Sequence, residues 1–210
     1  MVKTVILKVD PKNPDRKTVW YVAKVIENGG IVVYPTETSY GIGTNAANAA
    51  AVKRLRAIRK PSGKPISIIV SSIDIMRKYG IITKQIERLA KKFMPGPLTI
   101  VTNKKETIPD ILNKNEIAFR ISSNVVADMI AKYAGVPITA ASANPEGAEP
   151  AFDVKKVLEY FDGKVDVVID AGRLKKTKPS TIVDMKAREP ILIRAGPISF
   201  KRIKSAIKQL

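Results

Sequence analysis

The chain contains neither cysteine nor histidine. The first absence excludes disulfides and thiolate metal sites, and the second removes the commonest metal ligand and the commonest general base. Any chemistry must therefore run on hydroxyls, carboxylates, amides and cations. Acidic side chains are scarce: 19 Asp and Glu stand against 37 Lys and Arg, a formal net charge of +18. Positive potential on that scale favours anionic partners, and nucleotide triphosphate, tRNA and double-stranded RNA would all respond to it. Most of the lysines, taken singly, need no explanation beyond a solvated surface of the kind heat-adapted proteins carry. No run of 18 apolar residues and no charged-then-apolar leader occurs, so no membrane span is expected and a cytoplasmic location is. Both the P-loop pattern and the dinucleotide G-x-G-x-x-G are missing, so any nucleotide binding must use another design.

What is present is a regular alternation of apolar periods. With 210 residues, 45% of them apolar, the chain can bury one good core, and a single domain over 1–210 is expected. Short β-type runs at Val5 to Val9, Ile31 to Tyr34, Ile66 to Val70, Leu98 to Thr102, Ile117 to Ile121, Val136 to Ile138, Val165 to Ile169, Thr181 to Met185 and Ile191 to Arg194 read as strands. Helical spacing marks Arg16 to Glu27, Asn48 to Ile58, Ile73 to Tyr79, Lys84 to Phe93, Val125 to Tyr133, Val154 to Tyr160 and Ser199 to Gln209. The order implies an α/β domain around one twisted mixed sheet flanked by helices.

Ligands of such sheets sit beyond strand ends, and the unusual stretches of this sequence all fall there. PTETSYGIG follows one strand, with hydroxyls at Thr36 and Thr38 and with Gly41 and Gly43 permitting backbone geometry other residues resist. IRKPSGKP gathers Arg59, Lys60 and Lys64 around two prolines, a rigid basic turn suited to phosphate oxygens, although a helix C-terminus also attracts cations. FRIS places Arg120 inside an apolar strand, where it needs either a permanent acidic partner or a bound carboxylate or phosphate. TAASANPEG sets Ser142 and Asn144 on either side of one alanine, a turn whose small residues would also let a ligand approach the backbone. Ser180 and Arg194 close the set, one before a strand and one at the end of another.

Taken in order, YPTETSYGIG, SGKPISIIV, MPGPLTIV, FRIS, SANPEG, VIDAG, PSTIVD and ILIRAG resemble the YrdC family of threonylcarbamoyl-adenylate synthases, over roughly Lys17 to Gly196. The resemblance implies a single YrdC-like domain with a basic ligand crevice. It implies a nucleotidyltransferase that joins L-threonine, bicarbonate and ATP, with Mg2+ on the nucleotide, into threonylcarbamoyl-AMP and pyrophosphate. The product would feed threonylcarbamoyladenosine modification of tRNA through a downstream threonylcarbamoyl transferase complex. Carried over by position, Thr36 and Arg120 would hold threonine. Ser142, Asn144, Ser180 and Arg194 would hold ATP, and Arg59 and Lys60 would grip phosphate as the catalytic cations. One element departs from the family's K-x-R-P: Ile58, Arg59, Lys60 and Pro61 stand there, and a lysine point charge does not replace an arginine fork. The competing readings are a tRNA- or double-stranded-RNA-binding module of the same fold without turnover, and carbamoyl transfer of the kind this domain performs inside larger enzymes.

Overall fold

The computed structural model describes residues 2–59 and 65–208. In chain order they form β1 (Val5–Lys8), α1 (Arg16–Glu27), β2 (Val32–Pro35), β3 (Tyr40–Gly43), α2 (Ala49–Arg59), β4 (Ile68–Ile69), α3 (Ile73–Tyr79), α4 (Lys84–Phe93) and β5 (Leu98–Asn103). There follow β6 (Glu116–Arg120), α5 (Val125–Ala134), β7 (Ile138–Thr139), β8 (Ala141–Ser142), α6 (Val154–Phe161), β9 (Val167–Asp170), β10 (Thr181–Asp184), β11 (Ile191–Arg194) and α7 (Phe200–Lys208). Helix starts are written into the sequence by N-caps: Asp15, Ser72, Thr83, Asn124 and Asp153 each accept a backbone N–H of the first turn.

The fold is α/β as expected, but its strands divide into two mixed sheets rather than one. The first has the order β1-β9-β2-β3-β8 and the second β11-β10-β5-β6-β4-β7. A short passage makes the division. Strand β7 pairs with β4 in the second sheet, Ala140 donates its N–H to Ser67, and β8 then pairs with β3 in the first. TAASAN is therefore a crossing between sheets in which Ala141 and Ser142 are themselves a strand.

Strand β3 departs from the sequence reading, which leaves YGIG in the loop after the preceding strand; glycine is depleted in strands. For Gly43 the structure supplies the reason, and it is close approach rather than an unusual φ. A Cβ on Gly43 would lie 2.3 Å from the Thr139 carbonyl oxygen and 2.9 Å from the Tyr34 ring. The Tyr34 hydroxyl meanwhile donates to that same carbonyl at 3.0 Å, which ties β2 of the first sheet to β7 of the second.

Both faces of the first sheet are covered. Val19, Val22 and Ile26 of α1 and Ile130 of α5 pack on Val32 and Val167, while Leu55 of α2 and Phe161 of α6 join Val33 and Val168 on the other face. The second sheet is covered by α3, α4 and α7 on one face, through residues such as Ile100, Phe119 and Val183, while on the other face α5 packs over Ile69 of β4 and Ile138 of β7. Strand alternation leaves that other face uncovered at β5, β6 and β10, where it can floor a cavity. Among the described residues no helix is long and apolar enough to cross a membrane.

Candidate functional site

A cavity of about 730 Å³ lies over that uncovered face. Its floor is Thr99, Val101, Glu116, Ala118, Arg120 and Ile182, the outward-pointing alternate residues of β5, β6 and β10. Its walls are the PTETSYGIG turn, the TAASAN crossing, the end of α2, and the start of β10 with the end of β11. Four arginines, at 56, 59, 120 and 194, and two glutamates, at 116 and 146, line this space. The strand ends that look unusual in sequence converge here.

Every described residue expected at the site borders the cavity: Thr36, Arg59, Arg120, Ser142, Asn144, Ser180 and Arg194. Lys60 lies outside the described residues. Thr36 is buried, and its hydroxyl donates to the Ser39 carbonyl at 2.7 Å while accepting the N–H groups of Thr38 and Ser39, so it holds its own turn closed. Arg120 has the acidic partner that burial in an apolar strand demands. Its Nε donates to Glu37 Oε1 at 3.1 Å, and its Nη2 donates to Thr38 Oγ1 at 3.1 Å while lying 2.9 Å from the same glutamate oxygen in an ion pair. The second Glu37 oxygen accepts from the Ser122 hydroxyl.

Ser180 and Arg194 are held differently. Ser180 is buried at the head of β10, its hydroxyl 2.9 Å from that of Thr99. Arg194 donates to it twice, from Nε to the carbonyl and from Nη2 to the hydroxyl, both at 3.0 Å. Partial desolvation lowers the proton affinity of the Arg194 guanidinium, and the charge of Arg120 lowers it further, so the two cations feel one another across the cavity. Arg194 remains charged at neutral pH all the same, because guanidinium does not deprotonate in proteins. An anion placed between them relieves that repulsion.

Asn144 spends its amide on the loop: Nδ2 donates to the carbonyls of Pro145 and Ala148, at 2.8 and 2.9 Å. Glu146, two residues on, donates its N–H to the Arg59 carbonyl at 3.0 Å, which docks this loop on the last turn of α2. Burial lowers the Arg59 guanidinium from its ordinary value, Glu146 opposes the shift, and Arg56 adds to it. Arg56 is itself anchored, with Nε on the Ile111 carbonyl at 2.8 Å.

Sequence reasoning overlooks Glu37, Arg56 and Thr99. The need of Arg120 for an acid points toward Glu37, but nothing local says which of 19 carboxylates supplies it. Thr99 and Arg56 read as ordinary strand and helix positions, and only the assembled floor and wall bring them to the cavity.

Comparison with known proteins agrees with this architecture. The family model Sua5/YciO/YrdC, described as telomere recombination, matches residues 24–196. A Methanocaldococcus jannaschii protein provisionally named threonylcarbamoyl-AMP synthase is 37% identical over 205 residues, 96% of this chain and 98% of that protein. The threonylcarbamoyl-AMP synthase of Pyrococcus abyssi is 32% identical over 213 residues, covering 99% of this chain, which spans 62% of that longer protein. The crystal structure of P. abyssi Sua5 complexed with L-threonine superposes with a TM-score of 0.92 at 31% identity, over 99% of this chain and 62% of that one. Escherichia coli YciO shares the fold, with a TM-score of 0.85 at 24% identity over 97% of this chain and the whole of that one. By the extent of the family match and by relatives that align along nearly its whole length, the chain belongs to the Sua5/YciO/YrdC family.

Proposed function

We propose that the cavity makes threonylcarbamoyl-AMP and pyrophosphate from L-threonine, bicarbonate and ATP, as a cytoplasmic supplier of threonylcarbamoyladenosine modification of tRNA. The observation that carries the reading is the pairing of two pre-positioned arginines, 120 and 194, at one cavity in a chain of this family. The chemistry suits a site without histidine or cysteine. The threonine amine attacks the bicarbonate carbon and water leaves, giving a carbamate; a carbamate oxygen then attacks the α-phosphorus of ATP and pyrophosphate departs. The substrate supplies its own nucleophile, so the protein has to align reactants and stabilise charge.

In this reading Arg120 receives the threonine carboxylate and Thr36 keeps the turn beside it closed. Arg194, with Ser180 behind it, receives phosphate oxygens, and Arg59 stands where the end of α2 meets the same space. Ser142 and Asn144 form the wall against the nucleotide. Magnesium would come with ATP, and what it would supply is charge stabilisation of the departing pyrophosphate. A threonylcarbamoyl transferase would consume the adenylate.

Pyrophosphate release tests the proposal. Purified protein with ATP, magnesium and bicarbonate should release pyrophosphate when L-threonine is added and not when other amino acids are. Release indifferent to threonine, or none from folded protein, would refute it.

A further inference from the structure

The two arginines of the cavity differ in charge compensation. Arg120 and Glu37 are both largely enclosed, with side chains 9% and 14% exposed, and they form a neutral pair. Arg120, Thr36 and Thr38 border the cavity, and Glu37 and Ser122 stand behind them. The Nε and Nη2 of Arg120 are committed to Glu37 and Thr38, while no described residue accepts from Nη1. Arg194 instead rests on the neutral carbonyl and hydroxyl of Ser180, with no acidic partner among the described residues.

We propose that Glu37 is a specificity-determining residue: it neutralises and orients Arg120 so that this arginine takes a monoanionic carboxylate, and leaves Arg194 as the uncompensated cation that takes phosphate. The inference rests on the functional reading above and adds the rule that decides which end of the substrates goes where. A carboxylate arriving at Arg120 meets a fixed planar donor and one fixed negative charge behind it. A dianionic phosphate at the same place feels both charges of the pair doubled, so Glu37 cancels twice as much of the attraction Arg120 would offer it, and the uncompensated Arg194 is the stronger site for it. Ser122, by holding the second carboxylate oxygen, keeps the pair from swinging into the cavity.

The test is a titration of L-threonine by calorimetry, repeated with inorganic phosphate as competitor, on the unsubstituted chain, E37Q and E37D. Phosphate should compete weakly with threonine in the unsubstituted chain. In E37Q threonine should bind about tenfold more weakly, and phosphate should become about tenfold more potent as a competitor. E37D keeps the charge but falls one methylene short of Arg120, so threonine should weaken while phosphate competition stays weak. If E37Q does not fold by circular dichroism, E37D decides: parallel loss of both ligands would mark Glu37 as merely structural and overturn the inference. Threonine binding with a threonine-to-phosphate preference unchanged in E37Q would overturn the inference alone. No threonine binding by the unsubstituted chain would overturn the functional reading together with it.

Discussion

Replacing Arg194 by alanine should separate binding from folding. The side chain leaves an exposed strand, and its two bonds go to Ser180, whose buried hydroxyl keeps its partner Thr99 at 2.9 Å. The fold should therefore lose no more than about 1 kcal/mol, the worth of an ordinary hydrogen bond at a half-open site. Nucleotide affinity should fall much further. Charge-assisted bonds to a phosphate are worth about 1.5–3 kcal/mol, so ATP should bind roughly 10- to 150-fold more weakly. Calorimetry with magnesium-ATP at fixed salt reads the affinity, and a melting curve reads the fold. A salt titration of RNA binding supplies the contrast, since one charge among 37 basic residues should change its slope by about one phosphate contact at most. Unchanged ATP affinity, with RNA affinity collapsing instead, would mean that the cavity is an RNA site and would refute the reasoning.

Gly43→Ala puts a methyl group 2.3 Å from the Thr139 carbonyl oxygen, and strand β3 cannot move without breaking its pairing with β2. The expected loss is about 3 kcal/mol by denaturant titration, and a loss under 1 would show that the layer can shift. Asp15→Ala removes the side chain that accepts the Thr18 N–H at 2.8 Å, at an expected cost of about 1 kcal/mol and with no change in ligand affinity. Burial pushes the Tyr40 phenol from 10.0 up to about 12, the Ala171 N–H partly opposing. Its neutral form is thus favoured in the folded state. That contribution is complete below pH 10 and disappears as pH rises through about 12. Tyr40→Phe should flatten this alkaline limb of the stability curve, and an unaltered limb would assign it elsewhere.

Much of the fold is legible in the sequence because its helices carry both period and cap. Asp15, Ser72 and Thr83 announce α1, α3 and α4, whose bounds follow from the apolar spacing alone. The strand pairing is not legible in the same way. Period-2 patterns in short runs say that a strand exists but not its neighbour, and the β7-to-β8 crossing, two residues on either side of Ala140, has no local mark that it changes sheets. Strand β3 is concealed by its glycines, and what requires Gly43, the carbonyl of Thr139, lies far away in sequence.

The candidate site divides along the same line. Arg120 is conspicuous because a guanidinium in an apolar strand demands a partner, and Ser142, Asn144, Ser180 and Arg194 stand out through their order along the chain. Glu37 is invisible as a determinant until the fold sets it behind Arg120. Arg56 and Thr99 likewise acquire meaning only from the cavity they border.

The central claim is that this cavity joins threonine, bicarbonate and ATP in one adenylate. The most direct measurement is the mass of the product formed from ATP, magnesium, L-threonine and carbon-13 bicarbonate, with quenching fast enough to catch a labile mixed anhydride. The expected product is an AMP adduct of carboxylated threonine that gains one mass unit from the labelled bicarbonate. An adduct of threonine and AMP carrying no bicarbonate carbon, or AMP formation without any adduct, would contradict it.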